Sequence, residues 1–450
     1  MTRRGDAGTA QAWAALGGGP PATVEFDPVR SPLAARLPVR ELARATVGAC
    51  SLAAADLLAH RNGTPPPPVR VHEGAVATAF VSERHLRIAG RAPVWFAPLS
   101  RFWRTADGWV RTHANYPHHR ARLLGAAGVP DPGDDDALVT RVAEVFATRP
   151  AAAIEEDVSA AGGLAVAVRG VSAERHPLVE TRSVGGGERG LPPAATPASG
   201  VRVLDLTRVF AGPVATRTLA LLGADVLRLD PPGLPEDGDT LSDTGLGKRS
   251  AVLDLAVDRD VFEGLLSTAD VVVTGYRPGA LDRFGLAPDA LLERRPGLVV
   301  AQLCAWGWTG PRAGRRGFDS LVQAGSGIAV VEGDDDRPGA LPAQALDHGT
   351  GYLLAAAVLR GLAERAETGG RHVRLSLAGT ASWLLHDLRQ SDVDDSLSVP
   401  AQYDPAPFVT ELDSPSGALR HARSPIGYDG VPTAWSPPSR WGADRAEWLR

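Results

Sequence analysis

The chain has 450 residues, too many for one ordinary domain and enough to bury two sizeable cores, so two or three lobes are expected and a lone small binding module is excluded. Hydrophobic residues at 44% and charged residues at 22% make an ordinary globular balance even with 50 Gly and 37 Pro, which confines disorder to linkers. A formal net charge of −5 with both signs interspersed offers no basic field to a nucleic-acid backbone or an anionic membrane, so neither is expected as a partner.

Residues 1–35 are rich in Gly, Pro and Ala with little periodicity and read as a flexible N-terminus. The apolar stretch Ala10 to Leu16 is short and runs into Gly-Gly-Gly-Pro, a poor signal peptide, and no run is expected to be long enough to span a bilayer. A helix is predicted from about Val39 to His60 and a strand at Val69–Val71. The turn Thr105-Ala-Asp-Gly-Trp then joins two strands, and helices are predicted at Leu138–Ala147 and Ala151–Ala160. Residues 36–182 thus form a first part containing a small α+β domain at about 90–165. The stretch 183–199 reads as an interdomain linker.

Beyond it, strands at Val201–Thr207, Asp225–Leu229, Ser250–Leu255, Asp270–Thr274 and Leu298–Leu303 alternate with helices at Pro213–Gly223, Arg259–Thr268 and around Pro288–Arg294. That rhythm implies parallel pairing through crossovers, hence an α/β, Rossmann-like doubly wound sheet over 200–450 with its ligand at the carboxyl ends of the strands. An internal echo links the halves: the alanine-rich helix beginning near Thr46 and followed by Val69-Arg-Val parallels the one beginning near Thr350 and followed by Val373-Arg-Leu. Cys50 and Cys304 are the only cysteines and match no disulfide or zinc spacing, which suits a reducing compartment and makes the cytoplasm the expected location.

The candidate chemistry lies at the predicted strand ends. The turn Val209-Phe210-Ala211-Gly212-Pro213 lacks the Gly-x-Gly-x-x-Gly that a dinucleotide fold needs, which leaves Asp230 little claim to a ribose. Lys248, the only lysine, lies in Thr244-Gly-Leu-Gly-Lys-Arg-Ser ahead of a strand rather than a helix; this is either a solvated turn or a phosphate contact, but not a P-loop. Arg277 and Arg283 flank a Pro-Gly turn and suit either phosphate binding or an ordinary helix entry. Trp306-Gly-Trp-Thr-Gly-Pro and Arg316-Gly-Phe318-Asp319 bring aromatics, glycines and cations to another strand end, with Asp319 a candidate cap for the following helix.

Asp347, in Asp-His-Gly-Thr-Gly at the entry of the long helix, reads as an N-cap or as a nucleophile beside free backbone N–H groups, with Gly349 and Gly351 making room for a substrate. Aligning the echoed helices places Ala43 or Arg44 opposite it, so only the second copy has a carboxylate there. His113, His118 and His119 have no carboxylate or cysteine at ligand spacing, so no metal site is expected. No Gly-x-Ser-x-Gly elbow is present.

In this order the pieces resemble the family III CoA-transferases, also called the CaiB/BaiF family. The matching stretches begin at Val203-Leu-Asp-Leu-Thr-Arg-Val-Phe-Ala-Gly-Pro, Leu222-Gly-Ala-Asp, Gly247-Lys-Arg-Ser, Tyr276-Arg-Pro-Gly, Trp306-Gly-Trp-Thr-Gly-Pro, Gly317-Phe-Asp and Asp347-His-Gly-Thr-Gly, collinear over 201–380, while 40–182 resembles the family's second half. The resemblance implies an acyl-CoA:carboxylate CoA-transferase that works through an aspartyl acyl-anhydride and an aspartyl-CoA thioester on Asp347. It implies coenzyme A as substrate, with no metal and no resident cofactor. It also implies Lys248, Arg283 and Arg316 around CoA, Val209 and Phe318 near the pantetheine path, and a homodimer. Racemases of the family hold a histidine where this chain has Phe318, so α-proton exchange loses its second base; a racemase or a non-catalytic CoA-binding relative is the alternative. Phe210 replaces the glutamine of the formyl/oxalate branch, and the small domain precedes the large one, so residues 90–165 are expected to close over the site in cis or across a dimer.

Overall fold

The structure, a computed structural model, describes residues 6–30, 33–185, 190–390 and 403–449. Its main sheet has 7 strands: β1 (Glu180–Ser183), β2 (Arg202–Leu206), β3 (Asp225–Asp230), β4 (Arg249–Val252), β5 (Val271–Thr274), β6 (Val299–Cys304) and β7 (Arg371–Ser376). The order is β4-β3-β2-β5-β6-β7-β1, parallel throughout except that β1 runs antiparallel along β7. The Val/Leu runs of β2, β5 and β6 are buried almost end to end because helices cover both faces of a parallel sheet. From β2 the chain winds outward through β3 to β4, then returns to the other side of β2 at β5. This reversal splays the loops apart at the carboxyl ends of β2 and β5, where such sheets bind ligands.

Five helices matter for the site: α1 (Val39–Asn62), α2 (Ala211–Leu221), α3 (Asp319–Ser326), α4 (Ala345–Thr368) and α5 (Leu377–His386). Helices α1 and α4 have 24 residues each, pack lengthwise, and start from nearly the same backbone entry, φ −74°, ψ 58° at Pro38 and φ −73°, ψ 61° at Gln344. Each is followed by a strand and a second helix, Val69–His72 with Glu73–Phe80 in one case and β7 with α5 in the other. Alanines along both helices allow the close approach, and residues of both belong to one continuous core.

That packing corrects three expectations. Residues 6–30 are structured: a helix at Ala7–Ala15 starts from Asp6, whose side chain accepts the Thr9 N–H at 2.8 Å, and Val24–Asp27 pairs in parallel with Val69–His72. The stretch read as a linker is tied down where it is described: the Arg61 guanidinium donates to the carbonyls of Pro192, Pro197 and Ser199, and residues up to Ser183 form β1. Finally, α1 is by length and apolarity able to cross a membrane; its apolar stretch is 83% buried, and packing against α4 accounts for its composition.

The smaller lobe is a three-stranded antiparallel sheet, Phe102–Arg104, Trp109–Thr112 and Ala165–Ala167, backed by helices Pro117–Ala127, Asp135–Ala147 and Ala151–Ala160 around its own core. It sits against the carboxyl end of the main sheet in the same chain. His113 stacks face to face on Phe318 at 3.8 Å, Tyr116 donates to Glu236 at 2.7 Å, and Glu155 accepts from Arg312 at 3.1 Å and Arg315 at 3.2 Å.

Candidate functional site

Between the small lobe and the ends of β2, β3, β5 and β6 lies a cavity of 560 Å³. Val209, Arg277, Arg283, Arg316, Phe318 and Asp347 all line it, although they come from widely separated stretches of the sequence. Val209 adopts φ 68°, a left-handed conformation that a β-branched residue rarely tolerates. Its N–H is held by Glu236 Oε2 at 3.2 Å, and that buried carboxylate also binds Arg228 at 3.1 Å and the Tyr116 hydroxyl of the small lobe. Glu236 therefore fixes both the strained turn and the lobe above it. Nothing in the sequence singled it out, because its partners lie 8, 27 and 120 residues away.

Asp347 occupies the first turn of α4, buried, with no hydrogen bond to its carboxyl oxygens among the described residues. Its own N–H is given to Asp319 Oδ2 at 3.0 Å, while the other Asp319 oxygen accepts from the Gln323 side-chain amide. The free N–H groups expected beside Asp347 are thus already capped, and Asp319 caps α4 rather than the helix it begins. Burial, then the negative charge of Asp319, raises the Asp347 carboxyl well above the usual range. Burial also pushes Asp319 up, to about 6, but its hydrogen bonds oppose the rise, so of the two carboxyls Asp347 is the harder to ionise. Next to it His348 is fully buried against Phe80 and Phe210; desolvation lowers it to about 3 and keeps it neutral.

The arginines at the cavity are disposed differently. Arg277, Arg283 and Arg316 are exposed and have no carboxylate partner among the described residues: Arg277 donates to the Gly314 carbonyl at 3.2 Å and Arg283 lies over the Phe284 ring. Burial and the neighbouring charges of Arg277 and Arg122 lower the Arg316 guanidinium, the mark of a locally positive field. Arg208, by contrast, is occupied by the Leu234 and Pro235 carbonyls and Glu236.

Three residues expected at the ligand lie elsewhere. Lys248 is buried in the core, its ammonium 3.0 Å from Asp205 Oδ2 and 2.6 Å from Thr216 Oγ1, so it clamps the end of β2 to α2 and lines no part of the cavity. A lysine withdrawn from water needs such a pair, which explains its singular place without a phosphate. Gly351 serves helix packing: a Cβ there would lie 2.6 Å from the Ala211 carbonyl and 2.8 Å from Val214. Gly349 faces Thr380 and Leu42 at 3.5 and 3.6 Å, again away from the cavity. Asp230 is likewise consumed, by Arg228 at 2.7 Å.

Comparison with known proteins bears on the same residues. Residues 198–396 match the model of CoA-transferase family III. The chain is 32% identical over 268 residues to a probable fatty acyl-CoA transferase of Mycobacterium tuberculosis, covering 54% of this chain and 67% of that protein.

The chain belongs to CoA-transferase family III.

It is also 35% identical over 209 residues to an acetyl-CoA:oxalate CoA-transferase of Acetobacter aceti, covering 43% of this chain and 54% of that one. A crystal structure of a CaiB/BaiF family protein from Brucella suis aligns at 28% identity and TM-score 0.40, over 50% of this chain and 65% of that one. The chain spans between 35% and 67% of the length of its first curated relatives. Within the matched segment of this family III chain lie Val209, Arg277, Arg283, Arg316, Phe318, Asp319 and Asp347; the small lobe with Tyr116, His118 and His119 lies outside it.

Proposed function

We propose that this family III chain is an acyl-CoA:carboxylate CoA-transferase with Asp347 as its nucleophile. The observation behind this reading is a buried carboxyl of raised basicity whose oxygens accept no hydrogen bond among the described residues, in a cavity that also holds three arginines without carboxylate partners among those residues. The arginines suit the phosphates of CoA, and the Val209 turn and Phe318 flank a path for the pantetheine arm toward Asp347.

In its ionised form Asp347 attacks the thioester carbon, the C–S bond breaks, and the CoA thiolate leaves an acyl-aspartyl anhydride. The thiolate then attacks the aspartyl carbonyl, forming the aspartyl-CoA thioester and releasing the donor acid. An acceptor carboxylate repeats the two steps in reverse and departs as the new acyl-CoA. Two covalent steps let one carboxylate move a thiol between acids, provided water is kept out, and the closure of the small lobe through Tyr116–Glu236 and His113–Phe318 serves that end.

Asp347→Ala tests the reading: transfer and hydroxylamine-sensitive labelling should vanish while CoA binding persists. Turnover at the wild-type rate would remove Asp347 from the chemistry. One observation favours a second reading, α-proton exchange: the small lobe stacks His113 on Phe318, close to the place where the racemases have their histidine. Deuterium incorporation at Cα in heavy water without an acceptor acid would identify that activity.

A further inference from the structure

A second, smaller cavity of about 40 Å³ adjoins the first, and Val209, Phe210, Phe318 and Asp347 line both, so the aspartate stands where the two meet. Its remaining walls come largely from the first half of the chain, outside the segment that matches the family model. Rings of Trp95, Phe96, Phe210 and Phe318 enclose it; Trp95 is anchored by its indole N–H to the Glu83 carbonyl at 2.9 Å and leans on Phe210 at 5.7 Å.

Three buried polar atoms of residues on these walls have no hydrogen-bond partner among the described residues: Glu83 Oε2, His113 Nδ1 and Ser320 Oγ. Buried polar atoms are ordinarily paired, and three polar residues with unsatisfied capacity on the walls of one small space suit a polar occupant. Glu83 is buried, its own backbone N–H bonds to its carboxyl, and Oε1 lies 3.8 Å from Arg84. Burial lifts its carboxyl to about 7, so at neutral pH it can donate as well as accept. His113 is held neutral by burial, and a serine hydroxyl both gives and takes, so the walls suit a group with the same dual capacity. The lining includes Glu83, Asp319 and Asp347 but no arginine or lysine, which leaves a second substrate carboxylate without a counter-charge. The volume holds roughly three water-sized groups.

We infer that this cavity is the acyl pocket and that it selects a short hydroxyacyl group, two carbons and one hydroxyl beyond the thioester carbonyl, over the corresponding dicarboxylic acyl group. The inference rests on the transferase reading and adds to it the class of acyl donor.

The test follows the first half-reaction, in which an acyl-CoA loads its CoA onto Asp347 and releases the free acid, read as the mass gain of the intact protein. Propionyl-CoA, 3-hydroxypropionyl-CoA and malonyl-CoA are compared as donors. The hydroxyacyl donor should load at least about tenfold faster than propionyl-CoA, and malonyl-CoA slowest of the three. In Ser320→Ala and in Glu83→Gln, each checked for folding by circular dichroism and melting, the hydroxyacyl-to-propionyl ratio should fall toward one. Equal loading of the three donors, fastest loading by malonyl-CoA, or a preference that survives both substitutions would overturn the inference and leave the transferase reading intact. Failure of every donor to load Asp347 would overturn both.

Discussion

Asp319→Asn isolates the electrostatics of the carboxyl pair. Asp319 Oδ2 lies 3.0 Å from the Asp347 backbone nitrogen. For a carboxyl separation of about 6 Å and an effective dielectric of 20, two unit charges repel by about 3 kcal/mol, or about two pH units. Removing the Asp319 charge lets Asp347 ionise at lower pH. Attack requires the ionised form, so the acidic limb of the rate profile for CoA loading should move down by about one to two units. Burial still acts on Asp347, so the limb stays above the usual carboxylate range. Asparagine keeps an acceptor for the α4 N–H but loses the charge at a helix N-terminus, a stability cost of about 1 kcal/mol visible in melting. Loading rates measured from pH 4.5 to 9 on both proteins decide the matter. An unmoved limb, or one displaced upward, refutes the claim that the Asp319 charge raises the Asp347 carboxyl.

Further outcomes follow from the same geometry. Because the Asp347 carboxyl is raised in the folded state, the folded protein binds more protons than the unfolded chain above the ordinary carboxylate pKa, and this group's contribution to stability falls as pH rises. Asp347→Asn should therefore melt about 2–4 °C above wild type at pH 7 and converge with it toward pH 4; a variant that melts lower at neutral pH contradicts the assignment. Lys248→Met breaks the buried contact with Asp205 and should destabilise the fold by about 3–5 kcal/mol in chemical denaturation, whereas a normally stable variant with weakened CoA binding would restore Lys248 to the ligand. Arg277→Ala and Arg316→Ala should each raise the KM for an acyl-CoA about tenfold with little change in kcat, and added salt should blunt the difference. Gly351→Ala forces a methyl into contact with the Ala211 carbonyl and Val214 and should cost about 1–3 kcal/mol of stability, checked by its denaturation midpoint.

Periodicity and turn residues were enough to read the doubly wound sheet, because the alternation of apolar runs with helical segments is a local property that survives into β2, β3, β5 and β6. The collinear motifs likewise placed Asp347, Arg277, Arg283, Arg316, Val209 and Phe318, all of which line one cavity, since ligands of such sheets gather at strand ends whatever the loops contain. Local sequence failed where a residue's role depends on what packs against it from afar. Lys248 and Asp205 are 43 positions apart, so a Gly-flanked cation in sequence becomes a core ion pair only once α2 lies over β2. The glycines after Asp347 looked like room for a substrate, yet the space is taken by α2 and α1.

What the chain's order of residues determined by itself is the sheet, the family and the nucleophile candidate, all of which are written in short contiguous patterns. What tertiary structure alone decided is the environment of that candidate: Asp319 capping the helix of Asp347 from 28 residues away, Glu236 holding the Val209 turn, and Glu83, His113 and Ser320, each with a buried unpaired atom, gathered on the walls of one small cavity. The physical reason is that proton affinity and hydrogen-bond satisfaction depend on burial and on the charges within a few ångströms, and those neighbours are assembled by packing rather than by adjacency in the chain.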